Sequence, residues 1–364
     1  LWNTSASVSI FSTFFNVLFF THLQSCMMKA LRIHDMSAPL EERLQIADVP
    51  EPSIQAGEAI VRMEAAALNH RDEWIRRGQY AKITSGVILG SDGCGVVERV
   101  GSEEDKHWLG KQVVLNPSMH WGNNPRAQHP KHYTILGLPA NGTFAEYVGI
   151  DVRQLFEKPP HLSAEQAAAL PLAGLTAYRA VFTQSGVQSG HKVLVTGIGG
   201  GVAQFAAQFA VAAGATVWVT SGSEEKLVRA ERELGVHGGV LYTRTGWEQE
   251  LLNRAGEFDV IIDSAGGASV NALLMALAFG GVFTFFGATN GRPPELNWQA
   301  IFWRQLRIQG TTMGNDTEFA QMLHFVHEKK IVPVVDSVRS FTDITSAFTT
   351  MSQASQFGKL VVKF

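Results

Sequence analysis

The chain has 364 residues, of which 45% are hydrophobic and 17% charged, a balance that excludes intrinsic disorder and a length that exceeds one compact core, so two domains are expected. A formal net charge of −3 gives no electrostatic footprint for nucleic acid or for an anionic membrane, and neither partner is expected. Two cysteines, Cys26 and Cys94, cannot build a disulfide framework or a Cys-rich zinc module, which fits a reducing, cytoplasmic location.

Residues 1–26 contain no Asp, Glu, Lys or Arg, and the apolar run Val8 to Phe20 lacks a positive leader and falls short of the ~20 residues of a membrane span. The following MMKALRIHD reads as a natural start into a strand, so residues 1–26 are expected to be a non-native or extension segment. From there to residue 150, short apolar or alternating runs such as EAIVRMEAAAL and KQVVLNP are separated by Gly, Pro and Asn, predicting a mostly antiparallel β domain over 27–150. The texture changes near Leu162, where Ser163 and Gln166 have capping-box spacing ahead of an Ala-rich helical stretch. Five β-rich runs alternating with helical stretches then predict an α/β, doubly wound parallel sheet over 151–309. The tail, 310–364, reads as a helix and short strands ending in KLVVKF and is assigned back to the first domain.

The stretch VLVTGIGGGVAQFAAQ places Gly197, Ile198, Gly199, Gly200, Gly201 and Val202 between a buried strand and a helix. That context predicts a dinucleotide-binding turn, in which missing side chains let the backbone and the helix N-terminus meet a pyrophosphate. The next strand ends in Thr220-Ser221-Gly222-Ser223 with Lys226 one helical turn on. An acid there would bind a ribose hydroxyl and repel a 2′-phosphate. Neutral Ser221 and Ser223 with cationic Lys226 therefore favour NADPH over NADH, while Glu224 and Glu225 suit a helix first turn.

In ALNHRDEW, the residues Asn69, His70, Arg71, Asp72 and Glu73 crowd behind the apolar run Ala65 to Leu68. The crowding has three readings, a metal site, a catalytic site or a helix start whose acids favour the N-terminus. His120, His129 and His132 include a ligand-like H-x-x-H pair, but without carboxylate or thiolate company they read as a solvated loop.

Taken in order, AALNHRDEWIRRG, LGSDGCGVVERVG, NGTFAEYV, LPLAGLTAYRAV, the glycine loop and DVIIDSAGG resemble the medium-chain dehydrogenases/reductases. The resemblance covers residues 28 to 364 and is closest to the zinc-type alcohol dehydrogenase-like and quinone oxidoreductase branch. It implies a GroES-like β domain clasping a Rossmann domain. It also implies where zinc would be held, and those positions carry Asn69, Ser91 and Leu172, which leaves Asp92 as the one carboxylate nearby. Zinc wants thiolate, imidazole or carboxylate, so no metal is expected. The expected reaction is hydride transfer from NADPH to a quinone or an α,β-unsaturated carbonyl, with Asn69 as hydrogen-bond donor and Tyr80 as a second catalytic candidate. The resemblance further puts Thr176 at the nicotinamide side and Tyr242 at the 2′-phosphate or ribose. Ser264, Ala265 and Gly266 follow the fourth strand, and Phe286, Gly287 and Ala288 meet the carboxamide. Thr311, Thr312, Met313 and Lys359 close over the cofactor. Two alternatives stand beside this reading, a zinc alcohol dehydrogenase with ligands shifted to Asp92 and nearby histidines, and a non-enzymatic NADPH-binding protein. The alternating run Gln305 to Gly310 after Ile301, Phe302 and Trp303 predicts an edge strand, which in the resembling family pairs two subunits into a homodimer.

Overall fold

The structure, a computed structural model, describes residues 26–293 and 295–364, so the expectation for residues 1–26 lies, except for Cys26, outside the described residues. The first part of the chain supplies strands β1 (Met27–Ile33), β2 (Leu44–Pro50), β3 (Glu58–Ala67), β4 (Asp92–Val100), β5 (Gln112–Leu115), β6 (Ser118–Met119), β7 (Thr134–Ile135), β8 (Tyr147–Asp151) and β9 (Leu155–Glu157), with helix α1 (His70–Arg76) after β3. β1 and β2 form an antiparallel pair, while β3 pairs antiparallel with both β4 and β8.

Helices α2 (Ala164–Ala168) and α3 (Pro171–Tyr178) lead into β10 (Lys192–Val195), α4 (Gly201–Ala212), β11 (Thr216–Ser221), α5 (Glu224–Arg229), β12 (Gly238–Leu241), α6 (Trp247–Ala255), β13 (Phe258–Asp263), α7 (Val270–Met275), β14 (Leu277–Phe285), α8 (Trp298–Trp303) and β15 (Arg307–Gly310). The six strands form one parallel sheet in the order β12-β11-β10-β13-β14-β15. This is the Rossmann order, and the direction in which successive strands are added reverses between β10 and β13, where a crevice opens at the strand ends. β10 (KVLV) and β13 (FDVIID) are continuous apolar runs because helices cover both faces of the sheet. From α4, Phe205, Ala206, Phe209 and Ala210 are buried in the same core as β10. Each buried Phe contributes on the order of 2–3 kcal/mol by leaving water.

α9 (Asp316–Glu328), β16 (Val335–Ser340), α10 (Ile344–Ser352) and β17 (Lys359–Lys363) complete the chain. β17 runs parallel to β16 and antiparallel to β3, with Val361 opposite Ala67. The tail thus joins the seven-stranded sheet of the first part, and Lys359 arrives beside the end of β3. The edge strand expected from Gln305 begins at Arg307 instead, because Gln305 turns through a left-handed φ of 53°. No helix among the described residues is long and apolar enough to cross a membrane.

Candidate active site

A cleft of about 930 Å³ runs between the two sheets, and its two ends are built differently. At one end, β10 stops at Val195 and the chain turns through Gly197, whose φ of 66° suits glycine. Gly197 N donates to Thr220 Oγ1 (3.2 Å), and Ile198 N donates to the Thr220 carbonyl (3.0 Å), which pins the loop to β11. α4 then starts with Gly200 as its N-cap, with no capping side chain. Its first N–H groups therefore remain available to an anion.

Two lysines lie against this loop. A Cβ on Gly199 would stand 3.2 Å from Lys226 Nζ, and one on Gly201 would stand 2.8 Å from Lys359 Cδ. The absence of side chains at Gly199 and Gly201 is what admits the two cations. Lys226 Nζ donates to the Ala354 carbonyl at 2.8 Å, and partial burial lowers its ammonium pKa from the ordinary value. Ser221 Oγ accepts from Ser223 N (3.1 Å), and Ser223 Oγ caps α5 by accepting from Lys226 N (3.4 Å). Tyr242 lies over Gly222, where a Cβ would stand 2.7 Å from its hydroxyl. Between β10 and β13, buried Asp263 accepts from Thr196 Oγ1 (2.5 Å) and from Gly266 N (2.8 Å), which shapes the Ser264-Ala265-Gly266 turn. Thr196 and Asp263 carry this role although the sequence reading did not single them out. The only signal was the polar end of each apolar strand.

The cleft lining includes Gly197, Gly199, Gly200, Gly201 and Val202, together with Ser221, Ser223, Lys226 and Tyr242. Further along it meets Ser264, Ala265 and Gly266, then Phe286, Gly287, Thr312 and Met313, with Thr176 and Lys359 opposite. Thr176 Oγ1 donates to the Leu172 carbonyl at 2.9 Å and lies 3.7 Å from Met313 Sδ. Met313 is buried with a left-handed φ of 45°, a strained backbone held at the cleft wall. Three expected residues lie outside the lining. The Ile198 side chain turns into the core, since only its backbone follows the loop. Thr311 N is committed to the Phe285 carbonyl at 2.9 Å in the sheet, and its hydroxyl is buried without a partner. Ala288 is exposed on the turn past Gly287, where its methyl does not reach the lining.

At the other end, β3 stops at Ala67 and Asn69 caps α1. Asp72 closes the cap by accepting from Asn69 N (2.8 Å), and Glu73 pairs with Arg76 (2.7 Å). Both acids thus serve the helix start. Asp72 is fully buried, and desolvation pushes its carboxyl up to about 6. His70 opens onto the cleft, yet the surrounding protein, through desolvation first and the charge of Lys359 second, lowers its pKa from the ordinary value.

The Asn69 side chain faces a buried ion pair. Its Nδ2 donates to Asp92 Oδ2 (2.9 Å), while Lys359 Nζ donates to Asn69 Oδ1 (2.6 Å) and to Asp92 Oδ2 (2.8 Å). The remaining oxygen, Asp92 Oδ1, accepts from Leu172 N (2.7 Å). The three positions where the resemblance would put zinc ligands, Asn69, Ser91 and Leu172, surround this pair or its neighbour: Ser91 Oγ accepts from Arg71 Nη1 (2.6 Å) and donates to the Leu136 carbonyl (2.8 Å). The Asp92 carboxylate is thereby saturated by an ammonium, an amide and a backbone N–H. Among the described residues, no group of three or more His, Cys, Asp or Glu could hold a metal ion. His129 Nδ1 accepts from the backbone N–H groups of Lys131 and His132 (both 3.2 Å), a local turn. Tyr80 lines the cleft with its ring 5.3 Å from the Arg71 guanidinium carbon. Arg71 is a component that sequence reasoning placed beside Asn69 without giving it a role.

Comparison with known proteins agrees with this architecture. Residues 55–160 match the family described as Alcohol dehydrogenase GroES-like domain, and residues 201–328 match Zinc-binding dehydrogenase. The zinc-type alcohol dehydrogenase-like protein YogA of Leptosphaeria maculans is 36% identical over 343 residues, covering 88% of this chain and 94% of that protein. An acryloyl-coenzyme A reductase of Sulfurisphaera tokodaii is 27% identical, covering 88% of this chain and 96% of that protein. The crystal structure of an NAD-dependent alcohol dehydrogenase superposes with a TM-score of 0.85 at 36% identity, covering 93% of this chain and all of that one. With a GroES-like part, a Rossmann part and relatives matching along nearly their whole length, the chain belongs to the medium-chain dehydrogenase/reductase superfamily and is an oxidoreductase.

Proposed function

We propose that this protein transfers a hydride from NADPH to a quinone or an α,β-unsaturated carbonyl compound without using zinc. The observation that carries the reading is the donor set at the end of β3. An ammonium, Lys359, joins Asn69 and Asp92 where a metal would need thiolate or imidazole. Without a Lewis acid, an unactivated alcohol is a poor substrate, whereas an activated acceptor needs only donors for its developing negative charge. Asn69 has one amide hydrogen beyond the bond to Asp92, and Tyr80 offers a hydroxyl in the same cleft. The acryloyl-coenzyme A reductase among the relatives is named for an α,β-unsaturated acyl group, which supports the acceptor class.

The residues present fit a phosphorylated dinucleotide. The glycine loop and the α4 N-terminus would take its pyrophosphate, and Ser221, Ser223, Lys226 and Tyr242 its 2′-phosphate. When bound, the dinucleotide supplies the hydride. The chain's own groups hold it, with Thr176, Phe286, Gly287 and Met313 around the reacting ring. Lys226 would exchange the Ala354 carbonyl for the phosphate, a charge-assisted bond stronger than the neutral one it gives up.

A panel of quinones and enones, assayed for NADPH oxidation, tests the reading. Turnover with NADPH well above that with NADH is expected. Stoichiometric zinc in protein purified without chelator, with NAD-linked alcohol oxidation, would establish the competing zinc alcohol dehydrogenase instead. Tight NADPH binding without turnover would leave a non-catalytic binding protein. The free cysteines, Cys26 and Cys94, fit a reducing cytoplasm.

The assembly we propose is a homodimer through β15. This strand lies at the sheet edge, and beside it Trp298, Phe302 and Trp303 of α8 are 67%, 66% and 70% exposed. An unpaired edge next to such aromatics suits a two-fold sheet extension. Light scattering at micromolar concentration should give a dimer mass, and Leu306→Pro should reduce it to the monomer by distorting the strand start.

A further inference from the structure

The guanidinium of Arg71 is held at one corner and buried without a partner along one edge. Nη1 donates to Ser91 Oγ (2.6 Å) and to the Leu136 carbonyl (2.8 Å), and the Tyr80 ring stands over the charge at 5.3 Å. The residue is only 6% exposed, yet Nε and Nη2 have no partner. Those two nitrogens present the parallel N–H bonds of the side edge, the geometry that receives a planar oxyanion in two bonds. Burying both donors unmatched is costly, and such groups in a folded protein ask for a ligand. The adjacent acid does not pair with this edge: Asp72 Oδ2 caps the helix and Oδ1 is itself buried without a partner, so the Arg71 charge acts on Asp72 without a hydrogen bond between them.

Arg71 also lines the same cleft as Asn69, His70 and Tyr80. Lys359 is unsuited to the task because its ammonium is already bonded to Asp92 and Asn69. Asn69 has a single spare hydrogen and no charge. Arg71 is therefore the one cation at this end, among the described residues of the cleft wall, with uncommitted donors.

We infer that Arg71 is a catalytic residue whose side edge binds the carbonyl oxygen of the acceptor and carries its negative charge as the hydride arrives. The inference rests on the NADPH-dependent reductase reading above and names the group that replaces the Lewis acid. In the step, the β-carbon of the enone gains the hydride, the C=C π pair moves to form the enolate, and the C=O pair becomes the oxygen anion facing Nε–H and Nη2–H. The nicotinamide is left oxidised. Solvent then delivers a proton to the α-carbon, the enolate reverts to a carbonyl, and the saturated ketone leaves Arg71. The charge is larger in the transition state than in the ground state, so the effect belongs mainly to kcat.

The test compares the full-length protein with Arg71→Gln and Arg71→Lys. With an enone substrate, R71Q should lose about 10²–10³-fold in kcat with KM changed much less, while NADPH affinity stays unchanged. R71K, which keeps charge but loses the fork, should recover part of the rate. A second readout needs no turnover: 4-nitrophenol, added to protein saturated with NADP⁺, should ionise about one pH unit lower in the cleft than in R71Q. Equal kcat in R71Q and the unaltered protein, or identical phenol titrations, overturns the inference. If the unaltered protein reduces no quinone or enone, the reductase reading fails, and the phenol titration alone decides whether Arg71 is an oxyanion site. Should R71Q not fold, R71K decides: a rate and titration equal to those of the unaltered protein show that the fork is not used.

Discussion

The two ends of the cleft come from the chain in opposite ways. The dinucleotide end is made from neighbours in sequence. Gly197 bonds to Thr220 across 23 positions, and Ser221, Ser223 and Lys226 lie within one turn of each other. The acceptor end gathers Asn69, Asp92, Leu172 and Lys359 from four segments, with Asn69 and Lys359 separated by 290 positions. The first is a backbone cradle whose side chains are mostly absent or small. The second is a buried charge network whose members satisfy one another, so damage to one member exposes the rest.

That difference predicts where mutations register. The largest effect should come from Lys359→Met, which leaves the Asp92 carboxylate buried with neutral donors only. A loss of about 3–5 kcal/mol in stability is expected from denaturant unfolding, with Lys359→Arg recovering part of it. Retention of full stability in K359M would mean that the network is not a unit.

Asp72→Asn comes next, and its effect depends on pH. Because Asp72 titrates near 6 in the fold against an ordinary 3.8, the unfolded chain releases this proton first as pH rises. Folded protein then binds more protons than unfolded protein between roughly pH 4 and 6, so this group's contribution is fully present below that window and lost as pH rises through it. The loss is on the order of 3 kcal/mol. Urea midpoints of D72N followed across the window should lack that decline, since the amide oxygen can still accept from Asn69 N.

At the dinucleotide end, Ser221→Asp should weaken NADPH binding by about 1–3 kcal/mol, through a carboxylate facing the 2′-phosphate. Calorimetric titration with NADPH and NADH separates this from a general loss of affinity, which would argue against the phosphate site. The smallest effect is expected from Gly201→Ala, the position where the two ends touch. Its new methyl would stand 2.8 Å from Lys359 Cδ, and the lysine is pinned at its tip, so a cost of about 1–2 kcal/mol is expected from overpacking. Crowding that reached Lys359 would appear as a drop in melting temperature together with weaker NADPH binding. A drop in binding alone would show that the lysine stem yields freely.

The same contrast decides what was legible in the sequence. The Rossmann strands, the glycine turn and the capping residue Ser163 depend on local pattern, and local pattern is written contiguously. Ile198 was drawn into the cofactor set because it lies inside the loop motif, although its side chain belongs to the core. A motif window records the path of the backbone and leaves the direction of a side chain open. The Asp92–Lys359 pair has no local signature, since β17 meets β3 only in the folded sheet. Arg71 was visible as part of a crowded polar run. Its role was not, because one of its partners is a backbone carbonyl at Leu136, 65 positions away, and a carbonyl is present at every residue.

The pairing of β17 with β3 also sets an order of assembly in time. Closing a segment of 290 residues rather than 23 costs about 2 kcal/mol more in chain entropy, and distant contacts of this kind form late on a folding route. The glycine turn can be complete while Lys359 is still remote from Asn69. A refolding chain therefore passes through a species that captures the dinucleotide before it can act on an acceptor, so cofactor fluorescence should recover ahead of activity.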